Sequence, residues 1–213
     1  MFREIQKKET YALDSLDNLK SNRVVASLAS YQGRNALKVQ FDPEVEGTDK
    51  PTFVIVQGTN FHNGVIEVEL VGTLGTDAPP HARGFVGIAF RINNDASRFE
   101  AFYLRPDNGR ADDQVRRNHS TQYFSYPDYP FPRPRQEFPE KYESYVDLVL
   151  GEWTKVRIEV EWDKARLYVH SNEQPTLLVN DLKHGSEAQG SIGLWVDTGT
   201  EAYFSNLRIT YMR

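Results

Sequence analysis

Apolar residues recur at every second position in short bursts along this chain, and clusters of Gly, Asn, Asp and Pro separate the bursts. Alternation of this kind puts successive side chains on opposite faces of an extended strand. Repeated short strands with turn signals between them predict an all-β sandwich or barrel. The pattern places strands at 24–28, 36–41, 52–57, 65–71, 85–91, 98–105, 153–161, 166–170, 176–179, 191–196 and 203–211. The nearest approach to a helical stripe, at 13–19, is short. With no internal repeat and no linker, the 213 residues are expected to form one domain, a two-sheet antiparallel jelly-roll sandwich.

Splitting each strand by parity yields a core set and an opposing set. Ile66, Val68 and Leu70 look inward, as do Val86, Ile88 and Phe90, then Phe102 and Leu104, then Ile192, Leu194 and Val196. If these four strands share one sheet, their opposing sets gather Glu67, Glu69, Arg91, Tyr103, Arg105, Trp195 and Asp197 around the small residues Gly87, Ala89, Ala101 and Gly193. Aromatic rings ringed by charged hydrogen-bonding groups suit a sugar, which presents apolar C–H faces and a fringe of hydroxyls. A concave ligand-binding face is therefore expected there, against the plainer reading of cross-strand ion pairs on a solvated sheet. In 153–161 and 166–170 the outward residues Lys155, Arg157, Glu159, Glu161 and Arg166 alternate in sign and read as structure alone.

One segment, 107–144, lacks clean alternation and is rich in Tyr, Phe, Pro, Arg and Asn. Long irregular segments in compact domains are often functional. It is expected to fold over the concave face, its aromatics taking cover there while Arg116, Arg117 and His119 reach the rim. His119, with Arg117 and Asn118 before it and Tyr123 after it, could serve as a base or hold an acidic sugar.

Composition narrows the partners. A net charge of -5 offers no basic surface to nucleic acid or anionic lipid. The absence of cysteine excludes disulfides, thiol nucleophiles and cysteine-zinc sites. The five histidines form no His-x-His or His-Glu-x-x-His pattern. No cofactor is expected; Asp107, Asn108, Asp112 and Asp113 offer only a weak calcium set without the rest of an EF-hand loop. The start, MFREIQKKETYALDS, has no apolar stretch for a signal peptide, and no run is long enough to span a bilayer. The chain as written reads as cytoplasmic, or as exported with its signal removed, with no membrane partner.

The order NGVIEVEL, GFVGIAFRINND, RFEAFYLRP, GEWTKVRIEVEWDKARLYV and GSIGLWVDTGTEAYFSNLRI resembles the concanavalin A-like lectin/glucanase superfamily. It looks closest to bacterial keto-disaccharide hydrolase and laminarinase-like sandwich domains. The resemblance runs from about Phe53 to the end and rests on Gly64-x-Ile66-x-Val68, 87–91, 153–157 and Phe204-Ser-Asn-Leu207. It implies a sandwich that binds or processes an oligosaccharide or polysaccharide. Laminarinase-type enzymes carry Glu-x-Asp-x-x-Glu or Glu-x-Asp-x-Glu; here only Glu67-x-Glu69 stands, with Val at position 71. Two such same-face carboxylates can approach the ~5 Å spacing of a retaining glycosidase pair. Three readings stay open: a carbohydrate binder, a glycosidase or keto-sugar hydrolase using Glu67 or Glu69 with His119, and a structural or protein-interaction sandwich.

Overall fold

The computed structural model describes residues 4–213. In chain order the strands are β1 (Ile5–Tyr11), β2 (Leu19–Asn22), β3 (Val24–Tyr31), β4 (Arg34–Phe41), β5 (Phe53–Phe61), β6 (Gly64–Leu74), β7 (Val86–Ile92) and β8 (Phe99–Leu104). They continue as β9 (Thr121–Tyr126), β10 (Glu143–Ser144), β11 (Thr154–Glu161), β12 (Lys164–Val169), β13 (Leu177–Val179), β14 (Gly190–Val196) and β15 (Thr200–Met212). Two short helices, α1 (Gln114–Asn118) and α2 (Pro132–Glu137), flank β9.

The strands form two antiparallel sheets. Sheet A runs β13-β12-β11-β6-β15-β4-β3, with β1 also paired to β15. Sheet B runs β10-β9-β8-β7-β14-β5-β2. The main core lies between them, and the inward sets read from parity meet there: Ile66, Val68 and Leu70 of sheet A against Val86, Ile88, Phe90, Phe102, Leu104, Ile192, Leu194 and Val196 of sheet B. Fully burying each such side chain contributes roughly 1.5–3 kcal/mol.

Every strand read from the alternation has its counterpart, and four more exist. β1 and β2 are short or largely exposed, so their patterns are weak. β9 and β10 lie inside 107–144, which is not a structureless flap: β9 extends sheet B beside β8, and β10 edges it. Both faces of β9 mix polar and aromatic residues, Thr121, Tyr123 and Ser125 on one and Gln122, Phe124 and Tyr126 on the other, so no apolar set marks it in the sequence.

The assumption that four strands share one sheet fails. β6 is the centre of sheet A, between β11 and β15, whereas β7, β8 and β14 belong to sheet B. Glu67 and Glu69 therefore face outward on the opposite side of the sandwich from Tyr103, Arg105, Trp195 and Asp197.

Candidate functional site

The outer face of sheet B is a second, smaller core rather than an open platform. Phe53, Ala89, Ile92, Phe99, Ala101, Tyr103, Phe124 and Trp195 pack there, with Ile55, Phe85 and Tyr126 around them. The small residues do not leave room for a ligand, because rings occupy the space: a Cβ on Gly193 would lie 3.1 Å from the Phe53 ring. Trp195 is fully buried, with its ring centroid 4.9 Å from that of Tyr103 and 5.2 Å from that of Phe124. Its indole N–H donates to the Lys50 carbonyl at 2.9 Å, so the β4–β5 loop lies across it. The expected stacking role of Trp195 is thereby corrected; its indole supports the covering loop.

Arg91 is displaced more radically. It takes a left-handed conformation (φ 54°), and the β7–β14 register shifts beside it. This bulge turns the side chain to the interior, where it pairs with Glu100 at 3.3 Å, both side chains having no exposure. Its guanidinium also donates to the carbonyls of His62, Trp162 and Gly185. Tyr123 is interior too, its hydroxyl 2.6 Å from Glu100. Arg91 and Tyr123 thus hold the fold, not a ligand.

What remains open on this face is a cleft of about 470 Å³ beyond the ends of β8 and β14. Tyr103, Arg105 and Asp197 line it, and the β6–β7 connection adds His81, Arg83 and Phe85. The 107–144 segment supplies Asn108, Val115, Arg116, His119, Phe131 and Arg135, and the β4–β5 loop supplies Thr48 and Asp49.

Arg105 organises the floor. It donates to the Tyr103 hydroxyl at 2.5 Å, to Gln122, to the His119 carbonyl at 3.0 Å and to Glu143 at 3.2 Å. Its guanidinium carbon lies 4.7 Å from the Tyr103 ring centroid, so that ring is capped as well as buried. Glu143 also accepts from Arg135 at 3.0 Å and lies 3.6 Å from His119 Nε2. Burial lowers the His119 pKa although Glu143 opposes the shift. That shift favours the neutral imidazole.

Asp49 and Asp197 form the far wall. The Asp49 N–H donates to Asp197 Oδ2 at 2.9 Å, and Asp197 Oδ1 accepts from the Thr198 N–H and hydroxyl. Asp49 Oδ2 accepts from the Phe131 N–H, tying the β4–β5 loop to the start of α2. Its Oδ1 is buried with no partner. Burial, then the charge of Asp197, pushes the Asp49 pKa up to about 7, and burial raises that of Asp197.

The remaining sequence candidates fall elsewhere. Adjacent positions on a helix diverge by about 100°: Arg116 enters the cleft, whereas Arg117 turns to Tyr145, bonding its hydroxyl at 2.9 Å. Asn118 accepts from Gln114 at 2.8 Å. Glu67 and Glu69 sit on a solvated outer face of sheet A, in register with Arg157 and Lys155 across β11. Glu69 also meets Arg34 at 3.3 Å and Asn206. They share a groove of about 540 Å³ with Tyr168 and Arg208 but not with His119, so no single constellation joins the three. The calcium set is not assembled either. Asp107 bonds Arg116 at 2.8 Å, Asn108 accepts from the same guanidinium, and Asp113 caps α1. Among the described residues, no group of three or more His, Asp or Glu converges as metal ligands.

Asp49, Arg83, Arg135 and Glu143 were not visible as site residues in the sequence. Asp49 lies in Gly-Thr-Asp-Lys-Pro, which reads as a generic turn.

No protein-family model and no curated protein matches the sequence. Solved structures match the fold. A protein of unknown function with galectin-like fold from Bacillus subtilis aligns with TM-score 0.59 at 9% identity, covering 99% of each chain. The carbohydrate-binding module CBM66 from Bacillus subtilis aligns with TM-score 0.53 at 14% identity, covering 89% of this chain and 96% of that one. Domain 4 of AbnA, a GH43 extracellular arabinanase from Geobacillus stearothermophilus, was solved in complex with arabinotriose. It aligns with TM-score 0.54 at 13% identity, covering 98% and 94%. The architecture is thus an all-β, two-sheet antiparallel sandwich similar to galectin-like and concanavalin A-like jelly rolls.

Proposed function

We propose that the protein binds a carbohydrate in the sheet B cleft. The observation that carries this reading is the composition of that one recess. Phe85 and Phe131 offer apolar faces beside Arg83, Arg116, Arg135 and the unpartnered Asp49 Oδ1. A few convergent polar groups on apolar walls match the hydroxyls and C–H faces of a sugar. Neighbours in fold support it: one is a carbohydrate-binding module, and another holds arabinotriose. A glycan array with the intact protein tests it, followed by titration of Phe131→Ala. Loss of the ring should weaken binding by about tenfold, or ~1.4 kcal/mol. Binding untouched by Phe131→Ala but abolished by changes at Glu67 and Glu69 would move the site to sheet A.

A second reading, a glycoside hydrolase in the same cleft, is favoured by the Asp49–Asp197 pair. Two neighbouring carboxyl groups, one with its pKa pushed up to about 7, suit a general acid beside a second carboxyl. Product analysis after incubation with oligosaccharides separates the two readings. Turnover lost in Asp49→Asn, with binding kept, makes it an enzyme. The laminarinase-like alternative rests on Glu67 and Glu69, and turnover surviving Asp49→Asn would favour it.

A further inference from the structure

We infer that the sugar taken by this cleft is acidic, a uronate-type saccharide whose carboxylate is met by the Arg83 guanidinium. The inference rests on the carbohydrate reading above and adds the charge of the ligand. Four guanidinium groups line the cleft, from Arg83, Arg105, Arg116 and Arg135. Among the described residues they share two carboxylates as ion-pair partners. Glu143 serves Arg105 and Arg135. Asp107 serves Arg116 at 2.8 Å and Arg83 only at 3.8 Å. The other two acids of the cleft do not balance the account. Neither Asp49 nor Asp197 makes an ion pair among the described residues, and burial disfavours the charged form of both.

The lining of the cleft thus sets four guanidinium groups against two carboxyls. Arg83 registers the excess: burial, then the neighbouring charge of Arg116, lowers its pKa. It is also reachable, with side chains of Arg83 and Arg116 exposed by 25% and 38%. Arg116 is engaged by Asp107 and Asn108, whereas Arg83 is fixed through Nη1 alone, by the Pro80 and Ala82 carbonyls, and a guanidinium so oriented suits a carboxylate. The groove on sheet A shows the contrast. Its lining holds three acids, Glu67, Glu69 and Glu173, and three bases, Lys155, Arg157 and Arg208, so it has no such excess.

The test is calorimetric titration with trisaccharides of galacturonate, mannuronate and glucuronate, each beside its neutral methyl ester. At least one acid should bind about tenfold more tightly than its ester, with an affinity that falls as salt is added. Arg83→Gln should weaken acid binding far more than ester binding and so remove most of that preference, and Arg83→Lys should keep part of it. Esters binding as tightly as acids, or neutral oligosaccharides alone binding, overturn the inference while the carbohydrate reading stands. No saccharide binding in array or titration overturns both.

Discussion

Replacing Asp49 by Asn should stabilise the fold at alkaline pH and leave it little changed at pH 4. In an unfolded chain this carboxyl titrates near ~3.9; in the fold, burial beside Asp197 pushes it up to about 7. Between those values the native state holds a proton that the unfolded state has released. Stability therefore falls as pH climbs through the interval, and the loss is complete above about 7. A gap of about three pH units at ~1.36 kcal/mol each amounts to ~4 kcal/mol. That is a ceiling, because relaxation around the ionised group recovers part of it. Asparagine keeps an oxygen that can accept from the Phe131 N–H. It also relieves Asp197 of a like-charged neighbour, which adds in the same direction. Urea unfolding of both proteins from pH 4 to pH 8.5 should show the variant's advantage growing by about 2–4 kcal/mol. Taking the difference cancels His119 and His184, whose lowered pKa values make stability rise with pH instead. A difference that stays flat across the range, or that moves in favour of the wild type, refutes the reasoning.

Two further substitutions test the reassigned residues. Arg91→Met strands Glu100, whose side chain has no exposure, and should cost about 3–5 kcal/mol in the same urea assay; a loss below about 1 kcal/mol means that Arg91 does not hold the interior. Glu67→Gln with Glu69→Gln removes charges on the outer face of sheet A, where ion pairs are worth about 0–1 kcal/mol each, so the melting temperature and glycan binding should both hold; lost binding places the ligand on sheet A.

The period-two pattern carried most of the fold because a sandwich with one dry and one wetter face writes its register into every strand. Three features escaped it for different reasons. β9 carries polar and aromatic residues on both faces, so it shows no apolar set. Arg91 sits at a bulge, where parity reverses without any change in composition. The membership of β6 in sheet A depends on long-range pairing with β11 and β15, which alternation within one strand does not encode. The cleft itself was half legible. Tyr103, Arg105, Asp197 and His119 came from strand ends and an unusual segment, whereas Asp49, Arg83 and Arg135 lie in turns and a short helix with no pattern of their own.

The hydrogen bonds that close the cleft join partners far apart along the chain: 148 residues between Asp49 and Asp197, and 82 between Phe131 and Asp49. Contacts of such separation form late, because the chain entropy of closing long loops must be overcome before they contribute. They also hold surface segments rather than central strands, the class of structure that opens first in the native state. Amide exchange at Asp49 and Phe131 should run faster than in β7 and β14, and a bound ligand should slow it by bridging walls that the backbone joins only at their edges.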